Sequence, residues 1–188
     1  MVLLISLLAC RGDISSEQVY LSGGNWQVTK AASSSVEVTG VVMYFTGEQR
    51  TYFYCLYDCS GRIEVAHPSF LVEASSSNVF AEGFESLLVR STDSSVFIKG
   101  SNETEVQSFR GDVWIEALAG SQISVLNSDG DVDIVLPSQD WETRLSGDHV
   151  VSQVTPSSGF KSGILEVFTV GGTIRVVEVL SQPQALLK

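Results

Sequence analysis

The chain has 188 residues and a formal charge of −11, with 11 Lys and Arg against 22 Asp and Glu. So few cations, scattered along the chain, argue against nucleic acid as a partner, which needs clustered Lys and Arg. No apolar run reaches the roughly 18 residues that cross a bilayer as a helix. With 44% hydrophobic and 18% charged residues the chain reads as packed rather than disordered, and 16 glycines against four prolines point to short turns between strands.

Residues 1–13 form an apolar N-terminal segment. Leu7-Leu8-Ala9-Cys10 resembles the lipobox after which bacterial lipoproteins are cut, which would make Cys10 the lipidated first residue. No basic residue precedes the run and it is short, so a plain first strand with Cys10 as a small buried residue stands beside that reading. Residues 14–57 read as an irregular, aromatic β cap. Ser22 to Asn25 is a turn, Trp26-Gln27-Val28 opens a strand, and Val36-Glu37-Val38 follows a turn at Ala31 to Ser35. From Val41 to Tyr57 the aromatic residues suit two half-buried strands joined near Gly47 to Arg50.

Residues 58–180 repeat. The first apolar residue after each turn is Ile63, Val79, Val96, Val113, Val132 and Val150, 16 to 19 residues apart, with Val36 and Ile174 as outliers at either end. Two residues on sits a second apolar residue, such as Val65, Ile98, Ile115 and Ile134, with Ser152 the one miss. Upstream lie further pairs, among them Tyr54/Leu56, Leu87/Val89, Ile123/Val125, Trp141/Thr143 and Leu165/Val167. Each unit is therefore two period-two strands joined by a tight turn. The pattern predicts an all-β fold, a β-solenoid of about seven coils with a period of about 17 residues, followed by a tail over residues 181–188. An antiparallel β-sandwich is the alternative; constant strand and turn lengths favour the solenoid.

The Gly130-Asp131-Val132-Asp133-Ile134 turn, followed by Leu145-Ser146-Gly147-Asp148, resembles the putative-adhesin repeat domain, over roughly Ile63 to Val179. The resemblance implies a β-solenoid of short coils in a bacterial surface or lipoprotein-like setting. It implies no catalytic residues.

The residue after each marker should point outward. Stacking then places Phe80, Phe97 and Trp114 in an external ladder, a partner-binding candidate unless the Val41–Tyr57 segment folds over it. Cys55 and Cys59 can close a disulfide in an oxidising compartment, remain thiols, or join His67 in an incomplete zinc set. Asn127, Asp129, Asp131 and Asp133 alternate as calcium ligands do, but lack the loop glycine and distal glutamate, so a solvated acidic turn fits better. Arg11-Gly12-Asp13 and Arg110-Gly111-Asp112 spell an integrin tripeptide, and the second lies where the repeat already needs a Gly-Asp turn. Asn102-Glu103-Thr104 is a sequon. Glu105 or Asp133 with Arg144 is the one conceivable acid–base pair, with His67 and His149 at turns, so neither catalysis nor a cofactor or metal is expected.

The sequence thus points to a non-enzymatic binding or scaffolding solenoid at a cell surface or envelope. Its expected partner is a protein or surface glycan, with membrane contact only through a Cys10 lipid and self-association through the solenoid ends. A structural subunit of a larger intracellular or organellar assembly is the second reading, and a carbohydrate-binding or carbohydrate-active protein the third.

Overall fold

The computed structural model describes residues 2–6, 10–12, 17–47, 49–154 and 162–179, the first two ranges by their backbone. The tail expected at 181–188 lies outside them. The alternation of apolar and polar residues becomes eighteen strands with no helix among the described residues: β1 (Val2–Ser6), β2 (Cys10–Gly12), β3 (Gln18–Ser22), β4 (Asn25–Lys30), β5 (Ser35–Thr46), β6 (Arg50–Val65), β7 (Ser69–Ser75), β8 (Asn78–Glu82), β9 (Ser86–Thr92), β10 (Ser95–Lys99), β11 (Glu103–Ser108), β12 (Val113–Glu116), β13 (Gln122–Asn127), β14 (Val132–Pro137), β15 (Trp141–Ser146), β16 (His149–Gln153), β17 (Gly163–Thr169) and β18 (Thr173–Val179).

Strands pair off as coils: β3/β4, the two halves of β6, β7/β8, and so on to β17/β18. Every pairing between coils is parallel, for example Val96↔Val113 and Val106↔Val125. The first strand of each coil lies in one sheet and the second in the other. This is a β-solenoid, and the parallel register rules out the antiparallel sandwich. Equivalent residues stack into columns between the sheets. Val89, Val106, Val125 and Val167 form one, and Ile98, Ile115, Ile134 and Val176 another, all at most 3% exposed. Fully burying one such side chain is worth about 1.5–3 kcal/mol, so the columns fuse into one continuous core.

The turns explain the Gly-Asp signature. Gly111 and Gly130 have φ near +118° and +117°, a region that favours glycine. A Cβ there would strike the backbone of Ser94 or Gly111 on the preceding coil. The aspartate that follows holds the coil on the other side: Asp112 Oδ1 accepts the Asp131 amide at 2.9 Å, and Asp131 Oδ1 accepts the Thr173 amide at 2.9 Å.

The coil order is not the sequence order. At the N-terminal end β3/β4 lies between β6 and β7/β8, and at the other end β17/β18 lies between β13/β14 and the outermost β15/β16. Two tryptophans fit this exchange. The Trp26 ring fills the space a side chain at Gly61 would take, and the Trp141 ring does the same over Gly163. Each indole N–H donates to a nearby carbonyl, of Gly23 and Pro137 respectively.

Several register expectations change as a result. Because Trp26 occupies the space, Gly61 stands opposite Val79's column, and Ile63 aligns with Ala81. Buried Thr51 and Phe53, not Tyr54 and Leu56, face the core, because β6 bulges outward between Cys55 and Cys59. Val150 is 43% exposed and Thr143 is exposed, since their coil is the last one and is covered on one side only. The Val36–Val38 piece is no coil: β5 and β6 form the hairpin expected near Gly47, antiparallel, with Gly47 N bonded to Arg50 O at 2.8 Å. Beyond β5 lie β1 and β2, also antiparallel to it, with Cys10 opposite Val38. The boundary drawn at 57/58 falls inside β6, and β3 and β4, placed in the cap, make a full coil of the stack.

Candidate functional site

The outward column of the second sheet runs Arg62, Gln27, Phe80, Phe97, Trp114, Asp133, Arg175 and Val151. The strands that carry these residues are held in register by the core columns beneath them. Phe80 and Phe97 stack at 4.9 Å between centroids with planes 17° apart, and Phe97 and Trp114 at 3.9 Å and 11°. The ladder exists. Arg62, and not Glu64, stands at its N-terminal end, following the Gly61 register.

The aromatic N-terminal segment does not lie over this ladder. Tyr52 and Tyr54 pack on one another and on Tyr20, with Tyr20–Tyr54 centroids 5.5 Å apart and Phe45 edge-on to Tyr54 at 6.0 Å. That cluster stands on the outer face of the first sheet. The ladder is left as one wall of a groove of about 960 Å³ that crosses the strands from β5 to β14. The turn residues Asn25, Asn78, Ser95 and Asp112 line it in the adjacent column, two positions before the ladder, and sequence reasoning missed them because they look like ordinary turn-formers. Stacking one ring on the next turns the faces of Phe97 toward its neighbours and leaves the ring edges to the groove.

Beyond the ladder the charges pair. Arg175 reaches Asp131 at 2.8 Å and Asp133 at 3.0 Å, which fastens β18 to β14. The Thr173 amide, and then Arg175, hold the Asp131 carboxyl below the usual carboxylate value, while Asp133 and Asp131 raise Arg175 above its own. The alternating acidic turn is therefore used for coil-to-coil contacts. Asn127 joins it by donating to Gly130 O at 2.9 Å. No group of three metal-ligating side chains occurs among the described residues.

Cys55 and Cys59 are joined by a disulfide, with Cα atoms 5.6 Å apart, which takes both sulfurs out of a zinc set with His67. The bridge pins an outward knuckle whose Leu56 and Tyr57 are exposed. His67 lies 3.9 Å from Glu17, and His149 is exposed on β16. In Arg110-Gly111-Asp112 both charged ends are engaged, Arg110 with Asp93 at 2.7 Å and Asp112 with the Asp131 amide. Asp13 of the other tripeptide lies outside the described residues. Asn102 is exposed in a turn. Glu105 and Arg144 share a column but stand three strands apart, about 14 Å. Asp133 is on the other sheet, and Arg144 pairs with Glu166 at 2.7 Å. No acid–base pair is assembled from these three residues.

No family model matches the chain, and no curated protein matches it. Solved structures do. A putative adhesin from Bacteroides fragilis NCTC 9343 is similar over 92% of this chain and 97% of its own, at 12% identity and a TM-score of 0.51. The shared feature is the solenoid fold. A putative adhesin from Parabacteroides merdae ATCC 43184 matches at 11% identity and a TM-score of 0.39, covering 92% of this chain and 96% of its own. A putative cell adhesion protein from Clostridium sporogenes ATCC 15579 matches at 7% and 0.37, covering 92% and 99%.

Proposed function

We propose that this chain is a non-enzymatic binding module of a cell surface or envelope, of the putative-adhesin repeat type, and that it meets its partner along the ladder groove. The observation that carries the reading is the stacked row of Phe80, Phe97 and Trp114, fixed on a rigid sheet and left uncovered by the N-terminal aromatics. A contiguous apolar strip at the surface of a chain this acidic marks a contact site rather than an accident of packing. Cys10 stands on β2 at the outer side of β5, where an acylated residue would tether the N-terminal end of the stack.

The double variant Phe97→Ser/Trp114→Ser tests the role. Adherence of the labelled protein to cell-envelope and cell-surface preparations should fall at least tenfold while the melting temperature stays within a few degrees. Lost stability with unchanged adherence would make the ladder mere packing and end the proposal.

A second reading, a subunit of a larger assembly, rests on Leu126 and Phe168. They are neighbours on adjacent strands of the first sheet, 51% and 46% exposed. Sedimentation of the wild type beside Leu126→Ser/Phe168→Ser separates this from the first: a wild-type oligomer that the variant dissolves supports it, and a wild-type monomer removes it.

A further inference from the structure

We infer that the ligand of the ladder groove is a neutral, linear polysaccharide that lies along the solenoid axis, with about one sugar unit per coil. The inference rests on the binding role proposed above and names its substrate class. A polar row runs beside the aromatic rings, two positions before them on the same strands. Thr39, Ser60, Asn25, Asn78, Ser95 and Asp112 form an unbroken row across six strands, and all six are exposed. Parts of the row are already linked along the axis: Thr39 Oγ1 and Ser60 Oγ are 2.7 Å apart, and Asn78 Nδ2 donates to Asn25 Oδ1 at 2.8 Å. Each link leaves further donors and acceptors of both partners toward the groove.

The groove is open and long in one direction. From β5 to β14 the groove crosses six strand spacings of about 4.8 Å, roughly 29 Å in all.

The period of the polar row then chooses the polymer. An extended polypeptide presents like groups on one side every two residues, about 6.7 Å, and falls out of step with a row spaced at about 4.8 Å within two repeats. Pyranose units linked through opposite ring carbons advance by close to one strand spacing and carry hydroxyls on both ring edges, so each unit can offer a hydroxyl to each coil although successive units are flipped. Hydroxyls donate and accept, as Asn, Ser and Thr do. The stacked rings add an apolar strip of ring edges beside that row, so recognition rests on the polar row more than on ring faces.

Charge sets the remaining limit. Of the charged groups that line the groove, Asp133 is met by Arg175, which leaves Glu37 and Asp112 against Arg62. Together with a net charge of −11 this repels uronate or sulfated chains, and it equally disfavours a second copy of this protein.

The test uses the full chain and a panel of neutral linear hexasaccharides: β-1,4- and β-1,3-linked glucans, a β-1,4-linked mannan and a β-1,4-linked N-acetylglucosamine oligomer. Each is titrated by calorimetry and by tryptophan fluorescence. Trp26 and Trp114 both line the groove and report it together, whereas buried Trp141 lies on a coil outside it. At least one hexasaccharide should bind at least tenfold tighter than its disaccharide. Asn78→Ala and Ser95→Ala, each melting like the wild type, should each weaken it at least fivefold. No saturable binding to any of the four, or tighter binding of polygalacturonate, or indifference to both variants, would overturn the inference. If the wild type binds no glycan yet adheres to surfaces through Phe97 and Trp114, the glycan assignment falls and the binding role stands. If adherence is absent too, both fall.

Discussion

From β9 to β14 each coil rests on the one the chain made just before it, whereas at both ends two coils change places. The middle is built by rule. Its residues repeat every 17 to 19 positions, its turns carry Gly111 and Gly130, and Asp112 and Asp131 each hold the following coil. The ends are built by particular side chains. Trp26 over Gly61 and Trp141 over Gly163 are contacts between coils that exchange order, and neither pair has a counterpart in the middle. The contrast shows that a solenoid can take its length from a repeat and its ends from single large residues, a division expected where terminal units must be capped.

Removing the end fastenings should produce the largest effects. Trp141→Ala deletes a side chain 3% exposed and should cost about 4 kcal/mol in chemical denaturation, as a Trp deletion in a core does. Hydrogen exchange should place the damage in β15 to β18 and leave β9 to β12 protected; uniform loss across the stack would mean that the ends and the middle are one unit. Next in size, Gly163→Ala puts a methyl group into the Trp141 ring and should cost about 2 kcal/mol. Adding Trp141→Phe should return part of that, a coupling that a double-mutant cycle reads directly. Gly111→Ala should cost a similar amount but show no coupling to Trp141.

The N-terminal end has a covalent fastening as well. Opening the loop closed by Cys55 and Cys59, four residues apart, with a reductant or with Cys55→Ser/Cys59→Ser should lower stability by at most about 2 kcal/mol. β13 to β18 should be untouched, as amide exchange would report. The smallest effect is electrostatic. Asp131 is held below its ordinary value of 3.8 by the Thr173 amide and Arg175. Its contribution is therefore present above that value and is lost as the pH falls through the lowered one. An acid titration of stability should lose a small increment in that window, and Asp131→Asn should remove the increment and loosen β18 before β12.

Much of the site was legible because the middle obeys its period. Once Val79, Val96 and Val113 are taken as inward, Phe80, Phe97 and Trp114 must be outward and stacked, and they are. The ends were not legible for a physical reason. A strand's alternation records which of its faces is buried but not which neighbour it pairs with, and β15 has the same pattern beside β17 as it would beside β13. The signs of exchange were present as Trp26, Gly61, Trp141 and Gly163, yet they gain meaning only as pairs 35 and 22 residues apart. Asn25, Asn78, Ser95 and Asp112 escaped notice because a turn accounts for each alone. Only stacking makes them a row.

Cross-linking between coils tests the account most directly. In this fold Ser124 stands beside Glu166, and Glu166 stands between it and Arg144. Cysteines placed at 124 and 166 should join readily under mild oxidation, and cysteines at 124 and 144 should not, as peptide mass mapping would show. Ready joining of 124 to 144, with none of 124 to 166, would mean coils stacked in sequence order and would contradict the exchanged ends.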